Sequence, residues 1–89
     1  MAWQIELTTT ATKQLAKFDK ADARRITAFL RYRLALLGDP RATGKALTGP
    51  QLGVYWRYRV GDYRIICDIQ DDRLRVLVIE VGNRRDVYR

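Results

Sequence analysis

The dipeptide Gly61-Asp62 sits between two runs of alternating apolar and polar residues, 54–60 and 63–70. A two-residue link with glycine first leaves such runs one arrangement, an antiparallel hairpin closed by a tight turn. The turn fixes the register, so Val60 is expected opposite Tyr63, and Arg59 opposite Arg64. A third alternating run, 73–81, follows Asp71-Asp72, and the second half of the chain is predicted as a three-stranded meander. Pairing through these turns puts Val54, Trp56, Tyr58, Val60, Ile65, Cys67, Ile69, Val76 and Val78 on one face, the one to be covered. The other face holds Tyr55, Arg57, Arg59, Arg64, Ile66, Asp68, Arg75, Leu77 and Ile79, too apolar for bare solvent and too basic for a second core.

The first half supplies the cover. Trp3, Ile5 and Leu7 alternate with Gln4 and Glu6, which predicts a strand over 2–7. From Thr9 or Thr10 the period lengthens: Ala11, Leu15 and Phe18 recur at helical spacing, with Lys13, Lys17 and Lys20 on the solvated side. Asp19 is placed to cap a second helix, with Asp22 near the positive end of its dipole and Ile26, Phe29, Leu30, Leu34 and Leu37 as its apolar stripe. Gly38 is expected to supply a left-handed stop, and Pro40 forbids continuation. Residues 41–53, with three glycines and Pro50, read as a loop anchored by Leu47. The expectation is one α+β domain over 1–89: a four-stranded, mainly antiparallel sheet with an N-terminal helical hairpin on one face.

Composition removes several kinds of chemistry. The chain has no histidine, no serine and a single cysteine, so neither a His/Cys transition-metal site nor a Ser–His triad is expected, and no cofactor is implied. Cys67, within the Ile65, Cys67, Ile69 alternation, reads as a core residue in a reducing cytoplasm. No apolar run approaches the ~20 residues of a membrane helix, and no leader segment is evident at the amino terminus. The formal net charge of +7 calls instead for an acidic partner, nucleic acid or protein.

Like charges held face to face cost stability, and an anion between Arg59 and Arg64 would offset that cost. The same register sets Asp68 against Arg75, giving that arginine a carboxylate of its own. The end of the last strand is expected beside the start of the one before it, bringing Gly82, Arg84 and Arg85 toward Arg59 and Arg64, with Tyr88 within reach. Arginine binds phosphate in bidentate fashion and stabilises charge developing on it, but serves poorly as a base. Every lysine lies at or before Lys45, so Tyr88 is the candidate for proton transfer or base stacking. Arg57, Arg59, Arg64, Arg84 and Tyr88 therefore form the candidate site; the same residues fit a plain anion site as well as a catalytic one.

Three segments carry a family likeness: Lys45-Ala46-Leu47-Thr48-Gly49; Tyr55-Trp56-Arg57-Tyr58-Arg59-Val60-Gly61-Asp62-Tyr63-Arg64; and Ile79-Glu80-Val81-Gly82-Asn83-Arg84-Arg85-Asp86-Val87-Tyr88. Together with the element order they resemble the RelE branch of the RelE/ParE toxin superfamily over nearly the whole chain. The resemblance implies a RelE-like microbial RNase fold and a type II toxin–antitoxin toxin. Such a toxin is a metal-independent endonuclease that cuts mRNA in the ribosomal A site by 2′-hydroxyl attack, and a cognate antitoxin holds it inactive. It puts Arg57 and Arg59 at the family's basic strand positions, Arg64 and Arg84 at its phosphate-stabilising arginines, and Tyr88 at its terminal tyrosine. The sequence departs in carrying arginine where lysine is common at the first two positions, and Asn83 where many relatives are basic or have histidine. The ParE branch, which poisons DNA gyrase on the same fold, is the alternative.

Overall fold

The computed structural model describes residues 3–47 and 55–83. The elements run β1 (Gln4–Leu7), α1 (Thr9–Lys17), α2 (Lys20–Ala28), a π-helical turn (Phe29–Leu34), a 3-10 turn (Pro40–Ala42), β2 (Lys45–Ala46), β3 (Trp56–Val60), β4 (Tyr63–Gln70), a second 3-10 turn (Asp71–Arg73) and β5 (Arg75–Asn83). The sheet has five strands in the order β1-β5-β4-β3-β2, with β1 parallel to β5 and the other neighbours antiparallel. The expected four strands become five because Lys45–Ala46, inside the predicted loop, pairs with Arg57 and Trp56.

One sheet face carries the core. Tyr58, Ile65, Cys67, Ile69, Val76, Val78 and Val81 are buried there against Ala11, Ile26, Leu30 and Leu34 from the helical layer. Leu47 is buried as the anchor of its loop, and Lys13, Lys17 and Lys20 are exposed. Thr8 caps α1 by accepting from the Ala11 N–H at 3.1 Å, an interaction worth ~1 kcal/mol in a typical helix. The same hydroxyl donates to the Ile79 carbonyl at 2.8 Å.

That second bond coincides with a β-bulge. Ile66 pairs with Glu80 and Cys67 with Val78, leaving Ile79 without a partner in the β4 ladder. One extra residue reverses which face the rest of β5 presents. Val81 therefore joins the core, and Gly82 comes opposite Arg64. Beyond the end of β1, the Val81 N–H is satisfied by the Gln14 side-chain oxygen at 2.6 Å.

Three other expectations are corrected. The helix does not run straight to a left-handed glycine: Phe29–Leu34 is π-helical, with the Ala35 N–H bonded to the Leu30 carbonyl at 3.0 Å, and among the described residues the glycines with positive φ are Gly44 and Gly61 rather than Gly38. Asp19 sits at the N-cap of α2 without a side-chain bond to the helix, while Asp22 accepts the Tyr63 hydroxyl at 2.9 Å. Asp71-Asp72 does not form a two-residue turn. The chain takes a 3-10 turn and places Leu74 at φ 49°, so Gln70 pairs with Arg75 and Asp68 with Leu77. The shift is by two residues, which preserves the faces but breaks the expected Asp68–Arg75 pairing. Arg75 instead bonds Glu6 of β1 at 2.6 Å and the Gln70 side-chain oxygen at 2.5 Å.

Candidate phosphate-binding site

The hairpin forms as its turn demands. Gly61 takes φ 58° and Asp62 does not, the pattern of a turn whose first central residue alone is left-handed. Val60 pairs with Tyr63, and Arg59 with Arg64. In such a hairpin the pair next to the turn exchanges backbone hydrogen bonds and the following pair does not, so Arg59 and Arg64 occupy the closer-spaced, non-bonded position.

Arg64 is 4 % exposed, between Arg59 on one side and Gly82, which has no side chain to crowd it, on the other. Arg59 is exposed and Arg57 half-buried. A small cleft of about 100 Å³ is lined by Arg59, Arg64, Tyr63 and the turn. A second, of about 260 Å³, runs along the outer edge of β3 and is lined by Arg57, Arg59, Lys45, Gly44 and Phe29 among others. Arg59 belongs to both. The sequence-derived trio thus lines two hollows that share Arg59, while Arg84 and Tyr88 lie outside the described residues.

Lys45 was not foreseen in the cluster. Its Cα is the register partner of Arg57, and Lys45 lines the same cleft as Arg57 and Arg59. Gly44 makes this possible: at φ 80° it passes so close to β3 that a Cβ there would stand 2.4 Å from the Arg57 carbonyl oxygen. The sequence signals there were the glycine directly before Lys45 and the family likeness of the segment that Lys45 begins. Two residues are too few to show a strand period.

The floor is fixed by Tyr58 and Trp56, both assigned to structure from sequence. The Tyr58 hydroxyl donates to the Pro40 carbonyl at 2.6 Å, and the Trp56 indole N–H to the Thr43 carbonyl at 2.7 Å. Tyr63 packs on Phe18 with ring centroids 4.6 Å apart and donates to Asp22, tying the hairpin tip to α2.

Neither cleft tyrosine is poised as a base. Burial raises the Tyr58 phenol, and the hydrogen bond to Asp22 raises that of Tyr63. What the described residues supply is positive charge gathered along one hairpin, chemistry suited to a polyanion.

A helical layer over a five-stranded sheet, with two arginines in register across its central hairpin, defines the class: a RelE-like toxin fold. The match extends to sequence. Residues 5–88 fit the family model described as the ParE toxin of type II toxin–antitoxin systems, and the chain belongs to this family, within the RelE/ParE superfamily. It is 30% identical to Toxin RelG of Mycobacterium tuberculosis over 90 residues, covering 100% of this chain and 99% of the relative. A chain of the RelBE2 toxin–antitoxin complex of the same organism superposes with a TM-score of 0.85 at 27% identity, covering 97% of this chain and 95% of that one. A chain of the archaeal RelE–RelB complex of Pyrococcus horikoshii gives 0.74 at 26%, covering 97% and 99%. The isolated Escherichia coli RelE toxin, at 21% identity and a TM-score of 0.71 over 98% of this chain and 92% of that one, shares the fold. The protein is a toxin of the type II toxin–antitoxin class. No helix among the described residues is long and apolar enough to cross a membrane.

Proposed function

We propose that this toxin is a metal-independent endoribonuclease that cuts mRNA in the ribosomal A site, acts in the cytoplasm, and is neutralised by a cognate RelB-type antitoxin. The observation that carries the reading is the Arg59–Arg64 pair, closely apposed across the hairpin with Arg57 and Lys45 in the adjoining cleft. In the reaction the 2′-oxygen of one nucleotide bonds to the adjacent phosphorus and the bond to the 5′-oxygen of the next breaks, leaving a 2′,3′-cyclic phosphate and a 5′-hydroxyl. The 2′-hydroxyl proton passes to a base, and the leaving oxygen takes one up. Arg64 and Arg84 hold the scissile phosphate, Arg57 and Arg59 bind flanking phosphates or assist proton transfer, and Tyr88 stacks on a base or moves the proton.

Mapping mRNA ends in a translation extract tests this. Wild type should produce A-site cuts, and Arg64→Ala and Tyr88→Phe should lose them, with a drop on the order of 10²–10³ if Arg64 stabilises the transition state as an oxyanion donor does. Intact mRNA with wild type would refute the reading. The family model's ParE description supports a second one, a gyrase inhibitor without nuclease activity. A supercoiling assay separates the two, since only that reading predicts inhibition with mRNA left whole.

A further inference from the structure

On the helix side of the hairpin the same Arg59 borders a third hollow, an open groove of about 610 Å³ between the π-helical turn and β3. Its charged members are Arg25, Arg33 and Arg59, and no acidic residue lines it. No ion pair among the described residues involves any of the three. Arg25 lies over the turn, its guanidinium nitrogens 3.0 and 3.3 Å from where a Cβ on Gly61 would be. Arg33 sits with its guanidinium carbon 5.9 Å from the centre of the Phe29 ring. Between them the π turn presents Tyr32, 69 % exposed and lining the groove.

An exposed aromatic ring among guanidinium groups is the arrangement that holds single-stranded nucleic acid, the ring stacking on a base while the cations follow the backbone. We propose that this groove is a second RNA-binding track, in which Arg25 and Arg33 contact phosphates and Tyr32 stacks on a base of the strand that Arg59 and Arg64 engage. It rests on the nuclease reading for the identity of that strand. Continuity favours RNA over an acidic peptide: Arg59 and Gly61 line both the groove and the cleft at Arg64, so a strand seated at the first site passes onto the second round the hairpin tip. The irregular helical turn also acquires a role, since π turns inside helices recur at functional sites.

The test is binding of a fluorescein-labelled 2′-O-methyl RNA dodecamer, which lacks the 2′-hydroxyl nucleophile, to the full chain across a salt series. Arg25→Gln/Arg33→Gln should weaken binding and flatten the slope of log K against log salt by about 1.4, since each lost single-strand phosphate contact removes about 0.7. Tyr32→Ala should cost about 5-fold or more in affinity with the slope unchanged. The lysine pair Arg25→Lys/Arg33→Lys should restore the slope. These side chains are exposed, and matched thermal melts exclude unfolding. Wild-type affinity and slope in the glutamine pair, or no binding by wild type, would overturn the proposal. So would a glutamine pair that binds RNA normally but loses affinity for a polyglutamate probe, which would mark a protein-docking groove. Because the probe cannot be cut, these outcomes are independent of whether the extract assay finds A-site cleavage.

Discussion

Gly44→Ala tests how the arginine-lined edge of β3 is built. At φ 80° the backbone is left-handed, a conformation that costs a residue with a side chain about 1–2 kcal/mol. The added methyl would also stand 2.4 Å from the Arg57 carbonyl oxygen, 2.7 Å from the Trp56 indole nitrogen and 2.9 Å from Tyr58 Cδ1. Two of these neighbours are held in place, the indole by its bond to Thr43 and Tyr58 by its bond to Pro40. Forcing them apart costs about 1–3 kcal/mol by the measure of overpacked cores. The lost chain flexibility of the unfolded state returns only about 0.4–1 kcal/mol. The net loss, about 1–5 kcal/mol from these terms, is set against the ~4–13 kcal/mol that a chain of this length holds. The melting temperature should fall by roughly 4–37 °C, at ~4–8 °C per kcal/mol. Gly38→Ala is the internal control, since nothing lies within 4 Å of where its methyl would stand and its φ is not left-handed. It should melt at or slightly above wild type. Calorimetric melts of the three proteins decide: Gly44→Ala within two or three degrees of wild type, or Gly38→Ala falling equally far, would refute the account of the β2–β3 approach.

Tyr58→Phe should destabilise by about 1–3 kcal/mol by leaving the buried Pro40 carbonyl without its donor, read by urea unfolding. Burial raises both the Cys67 thiol and the Tyr58 phenol, so the unfolded chain releases these protons first, from the ordinary values of 9.0 and 10.0. Their contribution to stability is full below pH 9 and declines above it, by up to ~1.4 kcal/mol per pH unit for each group. Urea unfolding between neutral pH and strongly alkaline buffer should show that decline, and Cys67→Ala should remove the part that begins first. Asp22→Asn should bring the Tyr63 phenol back toward its ordinary range, seen as one tyrosine titrating earlier in ultraviolet absorbance; an unchanged titration would mean that Asp22 does not hold that hydroxyl.

The parts of the site legible in the sequence are those set by one turn. Gly61 can take positive φ at no steric cost, the loop between the two alternating runs is two residues long, and the opposition of Arg59 and Arg64 follows without reference to the rest of the chain. Asp71-Asp72 looked equivalent but has no glycine, so the chain lengthens the loop and uses Leu74 in the left-handed position, which moves Asp68 away from Arg75. The remaining features arise between segments distant in sequence. Lys45 enters the cleft because a two-residue strand pairs with Arg57, and Arg25 reaches the turn because α2 packs over it. Gly82 faces Arg64 because a bulge in β5 frees a carbonyl that Thr8 of the β1–α1 junction takes up. None of these leaves a periodic trace, since each depends on a partner 12 or more residues away. The consequence bears on how such a toxin could be retuned. Substitutions at the turn would alter the arginine pair itself, whereas changes at Thr8, Gly44 or Arg25, far from it in the chain, would alter what surrounds the pair while leaving its register intact.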